Sequence, residues 1–114
     1  MIAIIFELWP AEGRADDYFE LASALKSVLE RIPGFVSVER FQSLADPAKL
    51  LSLSFFRDEE SVRAWRNLPD HRAAQAKGRQ GIFADYRLRV AHVLRDYGKH
   101  VRDEAPRDSR QAHS

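Results

Sequence analysis

The segment Trp65 to Gly78, WRNLPDHRAAQAKG, holds the residues of this chain whose types and spacing suit chemistry. A large aromatic and a histidine flank Pro69. Proline disfavours helix in the residue before it and suits the first turn of a helix after it, so Trp65 and His71 are expected on either side of a break between two short helices, together forming a pocket wall. On the second of these helices His71, Ala74, Gln75 and Gly78 recur at three- and four-residue spacing and share one face. An unperturbed histidine titrates near pH ~6.5 and accepts a proton at neutral pH. Gln75 can hydrogen-bond the same ligand, while the small Ala74 and Gly78 leave it room. The other candidate base is Glu7, an acid inside the apolar run IAIIFELW, which has to be paired, solvated or protonated. Each has a structural alternative: core packing for Trp65, a partly exposed helix-start position for His71, and pairing with Arg40 or another basic residue across a sheet for Glu7. His92, alternating with Val90 and Leu94, reads as a core or interface histidine.

Composition removes several other chemistries. The absence of cysteine rules out thiol catalysis, disulfides and cysteine-based zinc sites, and no glycine-rich phosphate loop or cluster with metal-ligand spacing is present, so no metal is expected. Lys and Arg total 18 against 17 for Asp and Glu, a formal charge of +1 that offers no field to nucleic acid or an anionic membrane. The N-terminus lacks a basic leader, and no window approaches the roughly 20 apolar residues of a spanning helix, so a cytoplasmic, unprocessed protein is expected. A chain of 114 residues fits one domain.

The elements that position these residues follow from periodicity. Ile2 to Trp9 reads as a strand closed by Pro10 and Gly13. Over Ala15 to Ile32, Tyr18, Leu21, Ala22, Leu25, Val28, Leu29 and Ile32 recur with the period of an amphipathic helix, ended by Pro33 and Gly34. Phe35 to Ser43, with Val36 and Val38 on one face, and Leu50 to Phe56 form a hairpin about the turn at Ala45 to Pro47. Asp58 caps a helix running to about Asn67, Pro69 starts the next, and Tyr86 to Tyr97 is a last strand. Residues 1–98 then form the folded domain, and the polar residues 99–114 a mobile tail. This order is the ferredoxin-like βαββαβ pattern of an α+β fold, with a four-stranded antiparallel sheet and the second helical segment split in two. Strand one carries Ile2, Ile4, Phe6 and Leu8 on one face and Ala3, Ile5 and Trp9 on the other, and strand three is apolar on both faces as well. A homodimer pairing sheet against sheet is the expected cover for the second face.

Over nearly all of residues 1–98 the chain resembles the antibiotic biosynthesis monooxygenase (ABM) domain family. The resemblance lies in PGFVSVERFQS, LLSLSFFRDEESVRAW, HRAAQAKGR and FADYRLRVAHVLRDYG. It implies a dimeric α/β barrel. It also implies one of several activities: oxygenation of quinol-like or anthrone-like rings without a cofactor, haem degradation, or a non-enzymatic ligand-binding or stress-associated role. The haem-degrading branch would require an asparagine on the first strand, a tryptophan on the second helix and an axial histidine. Trp65 matches the tryptophan, while the asparagine position falls on Glu7 and the histidine position on Gln75, with His71 one turn earlier. The cofactor-independent branch needs a base, an apolar box and an aromatic wall. The expectation is therefore a cofactor-independent monooxygenase of a small aromatic or quinol-like substrate. Its catalytic residues would be His71 and Glu7, and its substrate-binding residues Trp65, Gln75, Ala74 and Gly78. Non-enzymatic ligand binding is the alternative, and a haem cofactor comes third.

Overall fold

The computed structural model describes residues 1–112, the side chains at 70, 75 and 77–79 excepted. In chain order the elements are β1 (Ile2–Pro10), α1 (Ala15–Leu29), β2 (Phe35–Gln42), β3 (Leu50–Phe56), α2 (Glu59–Arg66), α3 (Pro69–Lys77), β4 (Phe83–His92) and α4 (Arg107–Ala112). The sheet runs β2-β3-β1-β4 with every pairing antiparallel. This is the ferredoxin-like α+β architecture, with the second helical segment split into α2 and α3.

Several boundaries differ from the periodicity, each for a local reason. The helix α1 ends at Leu29 and not Ile32, because Pro33 pushes the residue before it out of the helical region. The Ile32 N–H instead bonds the Leu29 carbonyl at 3.1 Å, and its side chain still packs against the core. In β2 the register against β3 shifts between Phe35 and Ser37. Val36 is the extra residue of this bulge; it lies 54% exposed and does not share the face of Val38. Strand β4 begins at Phe83 and stops at His92, opposite Ile2, where β1 also runs out. His92 is exposed there, so within the chain it is not a core histidine. The C-terminal segment is not featureless: it contains α4 and a buried Ala105, held by local bonds such as Arg110 Nε to the Ala105 carbonyl at 3.0 Å.

The helix-facing core is filled at two poles. At one, Ile2, Leu29, Phe56 and Val62 pack with Ile4, Phe35, Val38 and Trp65 around them. At the other, Leu8, Tyr18, Ala22 and Ile82 pack with Phe6, Leu50 and Phe83. The reason is legible along β3. Its helix-facing row reads Leu50, Ser52, Ser54, Phe56, with bulk at both ends and two small polar residues between them. The middle of the layer is therefore underfilled, and a cavity of about 300 Å³ opens between sheet and helices.

On the sheet face away from α1, α2 and α3, the antiparallel register brings together Ile5 with Leu53 and Glu39, and Glu7 with Leu51 and Phe41. Glu7 is held on that face by Lys49 Nζ at 2.7 Å and Arg89 Nη1 at 2.7 Å. Among the described residues, no helix is long and apolar enough to cross a membrane.

Candidate active site

The cavity draws one wall from each element around it. Ile4 and Phe6 come from β1, Val38 and Arg40 from β2, and Ser52 and Ser54 from β3. Tyr86, Leu88 and Val90 come from β4, Leu21, Ala22 and Leu25 from α1, Trp65 from α2, and His71 and Ala74 from α3. Its size is at the lower end of small-molecule sites, and its lining has their usual character, apolar with a few polar groups. Among the described residues, no carboxylate lines it and no group of three or more side chains could hold a metal ion.

Trp65 and His71 meet across the break between α2 and α3. Asp58 starts α2: its Oδ1 accepts the Ser61 N–H at 2.9 Å and the Ser61 hydroxyl at 2.7 Å, fixing the first turn. Its carboxyl is held below the usual carboxylate range by the Ser61 backbone and side-chain hydrogen bonds. One helix later the chain reaches Trp65, turns through Asn67 and Leu68, and restarts at Pro69, which returns His71 onto the indole. The two rings stack with centroids 4.3 Å apart and planes 22° from parallel.

The imidazole is half-buried, and its Nδ1 lies 3.3 Å from the Arg66 carbonyl. A carbonyl only accepts, so Nδ1 carries the proton and Nε2 keeps the lone pair of the neutral ring. Burial pushes the His71 imidazole below the usual histidine value; the Arg66 and Trp65 backbone carbonyls oppose this, and the positive charges of Arg72 and Arg66 reinforce it. At neutral pH the residue is therefore an unprotonated base.

The structure brings Trp65, His71 and Ala74 together in one cavity. Gln75 lies within α3 and Gly78 just beyond it, but the side-chain placement expected of Gln75 and the room expected at Gly78 lie outside what is described. Glu7 is not brought to the site. Strand alternation turns Phe6 and Leu8 toward the helices and Glu7 to the opposite face, where two cations hold its carboxyl below its usual value, the Lys49 hydrogen bond acting most strongly. Its partners are Lys49 and Arg89, not Arg40.

Sequence reasoning missed Arg40, Ser52 and Ser54. The signal was present: the two serines fall in phase with Leu50 and Phe56 in LLSLSFF, and Arg40 falls in phase with Val38. Arg40 opposes Ser52 in the sheet register, so the polar groups of the cavity floor are neighbours.

A split ferredoxin-like domain with a histidine and tryptophan stacked over a cavity between sheet and helices places the chain among small ferredoxin-like α+β proteins. The profile of the antibiotic biosynthesis monooxygenase family matches residues 1–77, and the chain belongs to that family. It is 45% identical over 93 residues to the jasmonate monooxygenase ABM of Pyricularia oryzae, covering 82% of this chain and 43% of that protein. The chain thus spans less than half the length of that relative. It is 32% identical over 93 residues to the uncharacterised YqjZ of Bacillus subtilis, covering 82% of this chain and 79% of the relative. Among solved structures, a protein from Mycobacterium tuberculosis superposes with a TM-score of 0.76 at 15% identity, covering 85% of this chain and 98% of that one. One from Deinococcus radiodurans, described as an antibiotic biosynthesis monooxygenase, superposes at 0.77 with 12% identity, covering 86% and 97%. At such identities these structures speak to the fold.

Proposed function

We propose that the chain is a cofactor-independent monooxygenase acting on a small aromatic or quinol-like ring held between Trp65 and the sheet. The observation that carries this reading is the stacked Trp65–His71 pair in an apolar cavity, with burial holding the imidazole below the usual histidine value. Family membership and a relative named as a jasmonate monooxygenase support the reaction class.

In this reading Nε2 takes the proton of an electron-rich phenol or anthrone. The resulting anion passes one electron to dioxygen, the radical pair combines to a peroxide anion, and the imidazolium returns its proton to give the hydroperoxide. Loss of water then leaves a carbonyl, so that one oxygen atom enters the ring and the other leaves in water. The substrate carbon and its two hydrogens supply all the electrons, and no outside reductant is required. The stacked indole orients the ring, and the apolar walls favour the neutral oxygen molecule.

The haem-degrading variant of this fold fits less well. The helix-facing row of β1 is Ile2, Ile4, Phe6 and Leu8, with no polar group to meet a bound oxygen. The sheet face away from the helices, with the half-buried Ile5, Leu51, Leu53 and Phe55, is assigned in the same reading to a second copy of the chain, and the protein to the cytoplasm.

The test is an oxygen-electrode screen of hydroquinones and anthrones without added cofactor. Uptake that is lost in His71→Ala, while the variant keeps its fold and its ligand affinity, is the expected result. Ring binding without oxygen uptake across the panel would replace the proposal by the non-enzymatic binding reading. Stoichiometric haemin binding with ascorbate-driven loss of the Soret band, insensitive to catalase, would replace it by haem degradation.

A further inference from the structure

Among the described residues, the one permanent charge on the cavity floor has no counterion. Arg40 projects from β2 into the helix-facing layer, and among the described residues it makes no ion pair. Among the described residues it makes a long hydrogen bond, Nη2 to the Ala22 carbonyl at 3.4 Å, and its Nε is buried without a partner. A guanidinium carries five donors and does not lose its charge in proteins, and the buried Nε of Arg40 is left unpaired where an unpaired polar group is costly. Ser52 and Ser54 add hydroxyls on the adjacent strand, and Lys26 and Arg66 also line the cavity from its helical side. A second, open groove of about 240 Å³ shares Arg40 and Tyr18 with the cavity, so Arg40 borders both.

We infer that the occupant of this cavity is an apolar, ring-bearing monocarboxylate, its ring between Trp65 and the β4 side chains and its carboxylate on Arg40. A planar guanidinium matches a carboxylate with paired hydrogen bonds, and such charge-assisted bonds are about twice as strong as neutral ones. The net positive lining excludes cationic ligands, and neutral rings leave Arg40 unsatisfied. The inference rests on reading this cavity as the substrate site, and it makes Arg40 a specificity-determining residue.

The experiment is isothermal titration of the full chain with 1-naphthylacetate and with its methyl ester, for the wild type, Arg40→Gln and Arg40→Lys. Expected is a preference for the acid over the ester of about 10- to 100-fold in the wild type. Arg40→Gln should abolish this preference with ester affinity unchanged, and Arg40→Lys should retain part of it. Equal wild-type affinity for acid and ester, or no binding of either at millimolar concentration, overturns the inference without reference to any variant. So does a parallel loss of both affinities in Arg40→Gln, the signature of a merely structural bridge to Ala22. Because no oxygen chemistry enters the titration, failure of the oxygenase reading leaves the acid preference standing. Turnover of neutral rings by a protein indifferent to the carboxylate would sink this inference alone.

Discussion

Gly34 joins α1 to β2 with φ at +91°, and its carbonyl accepts the Arg57 N–H at 2.7 Å, which fastens the turn to the end of β3. A methyl group at this position would overlap the Ser61 hydroxyl and stand 3.0 Å from the Ser61 Cβ. Forcing an L-residue into this backbone region costs roughly 1–2 kcal/mol. Overpacking against a buried neighbour adds roughly 1–3 kcal/mol, so Gly34→Ala is expected to cost about 2–5 kcal/mol. This is a large share of the stability of a small domain. The displacement also has a direction. Ser61 is bound to Asp58 in the first turn of α2, and α2 carries Trp65, so the push passes to the aromatic wall of the cavity. Urea unfolding followed by far-UV circular dichroism, applied to Gly34→Ala, Ser61→Ala and the double variant, separates the two contributions. Removing the hydroxyl relieves the overlap but not the backbone strain, so the double variant should be less destabilised than the sum of the singles, by about 1 kcal/mol. A Gly34→Ala cost within about 0.5 kcal/mol of zero, or strict additivity, would refute the reasoning.

His71 should titrate below the ordinary histidine value by NMR, and Trp65→Ala, which uncovers the ring, should move it back up; an unchanged value in the variant would dissociate the burial from the stacking. The sign for stability follows from the depressed folded-state value. The neutral ring costs nothing above the unfolded value near pH ~6.5, and stability is lost as pH falls from there through the folded value, because the unfolded chain takes up its proton first. His71→Gln should flatten that part of the pH profile, and any oxygen uptake should have its acid limb below the ordinary histidine value. Glu7→Gln should leave 1-naphthylacetate affinity unchanged, since its ion pairs with Lys49 and Arg89 lie across the sheet from the cavity; a large loss in titration would contradict that placement. Ser54→Leu should fill the hollow and abolish ligand binding while stability stays level or rises by about 0.5–2 kcal/mol; retained binding would show that the cavity is not the site. Light scattering at micromolar concentration should give a dimer, and Leu53→Glu on the sheet face away from the helices a monomer; a monomeric wild type would remove the sheet-to-sheet assembly.

What the chain determined by itself is what depends on short-range pattern. The apolar period of Tyr18, Ala22 and Leu29 specified α1, Pro69 placed the break that sets His71 against Trp65, and the element order specified the antiparallel sheet. These are local choices, made by sterics and by the spacing of apolar residues along a few turns. The tertiary structure decided which face each strand residue takes relative to the helices, because a period of two has two equivalent phases until one face is covered. That choice sent Glu7 to the far side with Lys49 and Arg89, and turned Arg40, Ser52 and Ser54 inward. It also made the hollow: Leu50 and Phe56 fill the two ends of the layer and two serines leave its middle open, a consequence of packing across three helices and four strands that no single segment contains.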